Sequence, residues 1–442
     1  MLTKVGMASE RGDVPGSWVD GDRGLVSREI FFSDDIYRLE LERIFKKVWL
    51  FVAHESEIPN PGDFVTRQMG DLPVIVVRCE DGTIAVLLNS CRHRGVKVCR
   101  VDSGTAKNFV CPYHGWSYDQ HGGLLTTAFD KLLPQGTEFS HWGLPTAPRI
   151  ESYKGLIFAS WNPEVIDLAD YLGDFRWYLD IFFARTPGGM QVMAPPQRSR
   201  VRANWKTAAV NFGADNQHIF TTHIGPFTVQ PATIPWQQRM KAMEDGAQVV
   251  AEDKHCVSFT LTEFDVPFSL YPEELRPLYP QCLDQEQQRV LSGLISGAGT
   301  LFPNLSFLER LIPSPEFGAG KTVLLRLWQP ISAHEMEIVS WCLAERESSE
   351  AYRARSLADG LRNFGISGLF EQEDVELWAS IGAASDNAVA RAYPMSFMTA
   401  LPYLNTPLRD FNGPGDAYRP ILSEVTQFRF LQYWNRIMTG EA

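Results

Sequence analysis

The sequence predicts an α+β fold, and three observations carry that prediction. Short alternating apolar runs fill the span from Gly62 to about Trp161, helical periodicity brackets it on both sides, and beyond it strands and helices mix without regular alternation. In chain order, 28–48 (SREIFFSDDIYRLELERIFKK) places apolar side chains at helical spacing behind a Ser/Asp start, an amphipathic helix ending near Trp49. FVTRQM, PVIVVRC and TIAVLLN then alternate between the Gly/Asp turns EDGT, DSGT and QHGG, as antiparallel strands do. IDLADYLGDFRWYLDIFF returns to helical spacing. TVLLRLWQP and EIVSWCLAE read as strands, SSEAYRARSLADGLRNFG and VELWASIGAAS as helices. Two irregular spans, 265–285 rich in Pro and Tyr and 402–420 rich in Pro, Gly and Asp, read as surface or lid loops.

A chain of 442 residues exceeds what one hydrophobic core usually supports, so two domains are expected. Hydrophobic residues make up 44% and charged residues 21%, and no segment reaches the roughly 18 unbroken apolar residues of a membrane helix. The opening MLTKVGMASERGDVPGSW lacks the apolar core of a secretory signal, which points to the cytoplasm. With 41 basic against 53 acidic residues the net charge is −12, which argues against nucleic acid as a partner. Seven cysteines, odd in number and thinly spread, suit reduced thiols or metal ligands better than a disulfide framework.

Two of those cysteines stand in a pattern. NSCRHRGVKVCRVDSGTAKNFVCPYHGWSYD contains Cys91-x-His93, seventeen further residues, then Cys111-x-x-His114. Two thiolates and two imidazoles from two turn loops make a four-ligand cage, and two His in place of two Cys on one iron define a Rieske [2Fe–2S] centre. Structural zinc is the sober rival, but zinc usually draws on separate Cys-Cys and His-His pairs, whereas each loop here supplies one of each. Gly95, Pro112, Gly115 and Trp116 offer the turn residues and apolar cover such a cluster needs. Cys79, Cys99, Cys256, Cys282 and Cys342 have no ligand spacing and read as core or surface thiols, and His54, His121, His141, His255 and His334 are isolated.

A cluster domain occupies only about 100 residues, so the remainder needs its own account. NWKTAAVNFGADNQHIFTTH brings Asp215, His218 and His223 into one short stretch, two imidazoles and a carboxylate of the kind that holds iron(II) with positions open for oxygen. Residues five apart point about 140° apart on an ideal helix, so joint chelation by His218 and His223 requires a π-type distortion or a break, which Gly213 would ease. Spacing alone leaves Asp215 as either third ligand or hydrogen-bond partner of His218.

CRHRG and CPYHGWSY resemble, almost letter for letter, the cluster-binding boxes of the large (alpha) subunits of Rieske non-haem iron aromatic-ring-hydroxylating dioxygenases, and the likeness runs through nearly the whole chain. It implies an antiparallel β Rieske [2Fe–2S] domain at 45–163 inserted in a helix-grip (START-like) catalytic domain formed by 1–44 and 164–442. It implies that His218 and His223 bind a mononuclear Fe(II), that the third ligand is Asp374 in FGISGLFEQEDVELW, and that Asn211 belongs to the catalytic set. Asp215 would link His218 to His114 of the neighbouring chain in a trimer, as an electron bridge rather than a ligand. Glu373 stands where the family usually has Asp, and Val210 where it commonly has Glu; Glu371 and Glu376 read as solvated or hydrogen-bonded.

The same likeness implies that a ferredoxin and an NADH-dependent reductase supply electrons, that O2 is the co-substrate, and that the product is an aromatic cis-diol. A small beta subunit (alpha3beta3) is implied, with alpha3 as the alternative. No G-x-G-x-x-G follows a strand, so nicotinamide oxidation falls to a partner. Matching places Asn211, Phe212, Ile219, Phe364, Leu369 and Phe370 around the substrate, a mostly apolar set that favours an uncharged aromatic or polycyclic hydrocarbon. If Arg310 or Arg326 reaches the cavity, an aromatic carboxylate is the rival substrate. A Rieske monooxygenase or demethylase, which has the same iron sites, and a Rieske ferredoxin, which lacks the second site, are the rival activities. Arg92, Arg94, Lys97, Arg100 and Lys107 crowd the cluster loops against one acid, Asp102, and suggest a docking face for an acidic ferredoxin.

Overall fold

The computed structural model describes residues 17–229, 235–314 and 318–441, and divides the chain into a unit Phe45–Leu168 and a unit formed by Met1–Ile44 with Ala169–Ala442. The opening segment used above to judge secretion lies, up to Gly16, outside the described residues.

The unit Phe45–Leu168 is built from antiparallel sheets. A four-stranded sheet runs in the order Ile84–Leu88, Leu72–Arg78, Asp63–Met69, Ser103–Thr105. Two three-stranded sheets accompany it, one of them Phe109–Val110, Ser117–Tyr118 and Leu124–Thr126. Ile75, Val77, Ala85, Leu87, Phe64, Phe109 and Tyr118 close on one core that also takes in the thiols of Cys91 and Cys111. Side chains alternate across a pleated sheet, so this burial follows from the apolar alternation in the sequence. The DSGT segment departs from its reading as a turn: Ser103–Thr105 is a strand paired with Asp63–Val65. Its side chains are all exposed, so it lacks apolar alternation, and backbone pairing with help from Thr105 Oγ1 to Asp63 Oδ1 (2.6 Å) holds it in place.

The other unit carries a nine-stranded antiparallel sheet among its described residues. Its long central strands are Leu294–Leu301, Leu305–Ser314, Gly318–Ser332 and Glu335–Glu345. Helices Trp205–Phe212, Glu350–Phe364 and Val425–Thr439 pack on strands of this sheet. The expected single helix over 28–48 is broken into a 3-10 turn Arg28–Phe31, an α-helix Asp34–Glu40 and a π turn Leu41–Phe45. Ser33 is the cause: its backbone is extended and its hydroxyl accepts from Ile36 N–H, so a second helix start sits inside the periodic run.

Neither expected loop is wholly a surface feature. Tyr271 and Tyr279, in 265–285, are buried, and Tyr271 donates to Glu309 (2.7 Å). Glu309 also meets Arg185 in an ionic cluster completed by Glu345, and a buried phenol that satisfies such a cluster is not free to open as a lid. In 402–420, Asp416–Tyr418 forms the edge strand of the large sheet against Gln248–Val250.

Candidate metal centres

The two Cys/His loops are built alike. In each, the Cys N–H donates to the carbonyl five residues on (Cys91 to Val96, 2.9 Å; Cys111 to Trp116, 2.8 Å). The glycine four residues on donates back to the Cys carbonyl (Gly95, 2.8 Å; Gly115, 3.0 Å). Closing so tight a loop needs a left-handed residue at its end, and both glycines supply one, at φ +75° and +69°. Each loop thereby turns its thiol inward, with Cys91 and Cys111 buried, while His93 is exposed and His114 half-buried. The imidazole rings of His93 and His114 lie 4.5 Å apart, Trp116 stacks on His93 at 5.1 Å, and Tyr118 Oη reaches Cys91 Sγ at 3.2 Å.

Among the described residues, the sets of three donors within 4.8 Å of one another are Cys79/Asp81/His121 and His218/His223/Asp374. The quartet of Cys91, His93, Cys111 and His114 is not one of them. No three of its donor atoms gather within 4.8 Å of one another, wider than the ligands of a single zinc ion stand, whereas a two-iron cluster asks for a wider set.

At the second centre the helix Trp205–Phe212 ends before the donors begin. Sequence reasoning asked for a break and credited Gly213, but the left-handed residue is Ala214, at φ +83°. His218 then opens a 3-10 turn, and His223 precedes the helix Ile224–Val229. The facing donor comes from Glu371–Ser385, whose first turn holds Asp374. Nε2 of His218 and of His223 approach to 3.2 Å, and Asp374 Oδ1 lies 3.3 Å from His223 Nε2 and 3.7 Å from His218 Nε2. Ligands at right angles, with bonds of about 2.1 Å, are about 3 Å apart, so these three atoms fit one face of a metal's coordination shell.

The far side of each imidazole is also held. His223 Nδ1 pairs with Glu373 Oε2 at 2.8 Å, while His218 Nδ1 faces Asn211 Nδ2 at 3.3 Å and Asp215 Oδ1 at 3.5 Å. Such partners fix the ring planes and direct both Nε2 atoms to the centre. The same Asp215 oxygen accepts from the N–H groups of Gln217 (3.0 Å) and His218 (3.4 Å). Burial would raise the Asp215 carboxyl, but His218 and these donors hold it below the usual range. Sequence reasoning missed Glu373 as a partner, because its bond to His223 spans 150 residues.

Asn211, Phe212, Ile219 and Phe364 line a cavity of about 60 Å³ together with Asp215, His218, His223 and Asp374. Two expected lining residues do not. Leu369 is 42% exposed and borders neither this cavity nor its neighbour. Phe370 is buried behind the wall, stacked on Phe364 at 5.4 Å and edge-on to His223 at 5.0 Å. A second cavity of about 80 Å³ shares Ile219, Thr260, Ser296 and Arg310 with the first and continues past Phe227, Met240 and Met243 to Arg239. Arg326 does not reach either cavity: it is buried, paired with both carboxylate oxygens of Glu371 (3.0 and 2.6 Å) and donating to Phe364 O. Glu371 is thus hydrogen-bonded and Glu376 is exposed. Burial and nearby Arg239 draw Arg310 down to about 10, which leaves it cationic at neutral pH.

A Rieske [2Fe-2S] domain model matches residues 48–134, and a model of the ring hydroxylating alpha subunit (catalytic domain) matches 168–439. The N,N-dimethyl phenylurea N-demethylase subunit alpha of Sphingobium sp. (strain YBL2) is 32% identical over 93% of this chain and 91% of its own length. The biphenyl dioxygenase subunit alpha of Paraburkholderia xenovorans (strain LB400) is 31% identical over 95% and 92%. Among solved structures, naphthalene 1,2-dioxygenase from Rhodococcus sp. bound to indole superposes with a TM-score of 0.86 at 35% identity, covering 95% of each chain.

Proposed function

From the premise that the chain belongs to the ring-hydroxylating oxygenase alpha subunits, we propose that it adds both atoms of O2 to an aromatic ring as a cis-diol. The observation that carries this reading is the convergence of His218, His223 and Asp374 at the wall of a largely apolar cavity, in a chain that also bears the Cys91/His93/Cys111/His114 loops. When bound, the [2Fe–2S] cluster delivers single electrons and the ferrous ion activates O2. The chain's own part is to hold and orient. Glu373 and Asp215 accept from the outer nitrogens of the two imidazoles, Phe212, Ile219 and Phe364 seat the ring, and the apolar walls exclude water. An aromatic or polycyclic ring skeleton suits this lining, consistent with the biphenyl and naphthalene named for the relatives. A ferredoxin and an NADH-dependent reductase would bring electrons, and a small beta subunit would complete an alpha3beta3 assembly.

The N-demethylase relative gives the rival reading its footing. Turnover under ¹⁸O2 tells the two apart: two labelled atoms in one cis-diol are expected. One labelled atom, or loss of a methyl as formaldehyde, would assign the chain to the monooxygenases.

Ring orientation gives a second expected result. Phe364 borders the cavity directly and Phe370 braces it from behind. A displacement of about 1 Å is costly to a reaction that depends on alignment, so Phe364→Ala should shift product regiochemistry most and Phe370→Ala less, with iron content unchanged in both. Identical product ratios for wild type and both variants would return the two rings to a purely structural role.

Arg92, Arg94, Lys97, Arg100 and Lys107 are all exposed, beside exposed Val101 and Tyr113. As a docking face for an acidic ferredoxin they would act through charge, which salt screens over about 8–10 Å near physiological strength. Reduction of the cluster by ferredoxin should slow severalfold between low and high salt, read by stopped flow. A rate indifferent to salt would count against this face.

A further inference from the structure

We infer that Arg310, assisted by Arg239, binds a carboxylate borne on the aromatic substrate, so that the preferred substrates are aryl carboxylic acids rather than bare hydrocarbons. This rests on reading the inner cavity as the seat of the aromatic ring.

Four observations carry it. Arg310 borders both cavities, at their junction, and Arg239 borders the outer one. Both guanidinium groups lie over the ring of Phe227, Arg310 at 4.8 Å and Arg239 at 5.4 Å, and Arg310 lies also over Phe370 at 4.9 Å. Two like charges gathered on one apolar wall are unfavourable unless an anion joins them. Third, neither guanidinium has a hydrogen-bond acceptor or ion-pair partner among the described residues. Fourth, the surrounding acids are engaged elsewhere. Glu309, the neighbour in sequence, points to the opposite face of the strand, where Arg185 (2.5 Å) and Tyr271 hold it. Glu371 is held by Arg326 and Glu373 by His223; Asp374, whose charge Arg310 does feel, makes no contact with it within salt-bridge distance and faces the two imidazoles instead.

The apolar set judged from the sequence to lack a cation therefore has one at its outer edge. A ring seated against Phe364 and Ile219 can direct a substituent past Ser296 toward Arg310, with Arg239 beyond it. A guanidinium matches a carboxylate with two parallel N–H···O bonds, whereas a methyl group in the same place leaves the cation unpaired.

The test uses holoenzyme with both centres loaded and a matched pair of probes, 2-naphthoate and 2-methylnaphthalene. Binding is read by equilibrium dialysis without O2, and turnover separately with ferredoxin and reductase. Wild type should bind the carboxylate at least about tenfold more tightly than the methyl compound, as expected for hydrogen bonds to a charged group. Arg310→Gln should abolish that preference, Arg239→Gln reduce it, and Arg310→Lys retain part of it, with cluster and iron content as the check on folding. Equal affinities in wild type, or a preference that survives Arg310→Gln, overturns the inference. Oxidation of 2-methylnaphthalene alongside such a result leaves the ring-oxygenase reading standing. Failure to oxidise either probe with both centres loaded would instead strike at that reading, while the dialysis still decides the role of Arg310.

Discussion

Asp215→Asn is expected to lose nearly all turnover while keeping the reducible cluster and the mononuclear iron. In the structure one carboxylate oxygen of Asp215 faces His218 Nδ1 and the N–H groups of Gln217 and His218, and it is absent from the His218/His223/Asp374 donor set. A carboxylate has a second oxygen to offer, and the family resemblance assigns it to His114 of a neighbouring chain in a trimer. Asparagine keeps the size but loses the charge and replaces one acceptor with a donor, so it cannot accept from two imidazoles at once. Its amide oxygen can still accept from the backbone, which preserves the local turn. Iron analysis, cluster reduction and product formation should be followed on one preparation. Loss of the mononuclear iron with the cluster intact would make Asp215 a ligand; turnover near the wild-type rate would remove it from electron transfer altogether.

Replacing His218, His223 or Asp374 by Ala should strip the single iron and abolish product, leaving the cluster spectrum unchanged. The three donor atoms lie within 4.8 Å of one another, and no other Cys, His, Asp or Glu joins them in that set among the described residues. A chelate of three donors has no substitute for the one removed. Glu373 and Asp215 are close by, but their carboxylates are turned to the outer nitrogens of His223 at 2.8 Å and His218 at 3.5 Å. The cluster spectrum is the control, because the ligands proposed for it, Cys91, His93, Cys111 and His114, belong to the other unit of the chain. Simultaneous loss of cluster colour would show that the variants had damaged folding at large. Retention of stoichiometric iron by Asp374→Ala would reopen the choice of third ligand.

What the sequence made legible, and what it hid, follows from distance along the chain. The cluster loops were readable because a ligand, a tight turn and its glycine must lie within five residues of one another, and Cys91 to Gly95 and Cys111 to Gly115 do so. The need for a break was readable from helix geometry, but not how the chain makes it: the helix Trp205–Phe212 ends just before left-handed Ala214, ahead of both histidines, and the chain passes from a 3-10 turn at His218 to a new helix at Ile224. Pairings across the sheet left no local trace. The bond of Glu373 to His223, the capture of Arg326 by Glu371 and the anchoring of Tyr271 on Glu309 join segments with unrelated periodicities. For the same reason Leu369, beside Phe370 in the chain, was assigned to a wall that it turns away from. The edge strands Ser103–Thr105 and Asp416–Tyr418 were hidden because backbone pairing, not apolar alternation, makes them strands.

The clamps on the outer nitrogens of His218 and His223 have a bearing on which metal the protein carries. Protein partners, Asp215 and Glu373, set the ring planes, so the three-donor face is shaped by the fold rather than by the ion that enters it. Such a face does not discriminate strongly among divalent first-row metals, and for nitrogen and oxygen donors zinc binds more tightly than iron(II). Chain folding and cluster assembly therefore offer no proofreading of the second centre. A preparation can be red, correctly assembled and still mismetallated, and its specific activity will track the iron-to-zinc ratio available when the site is filled.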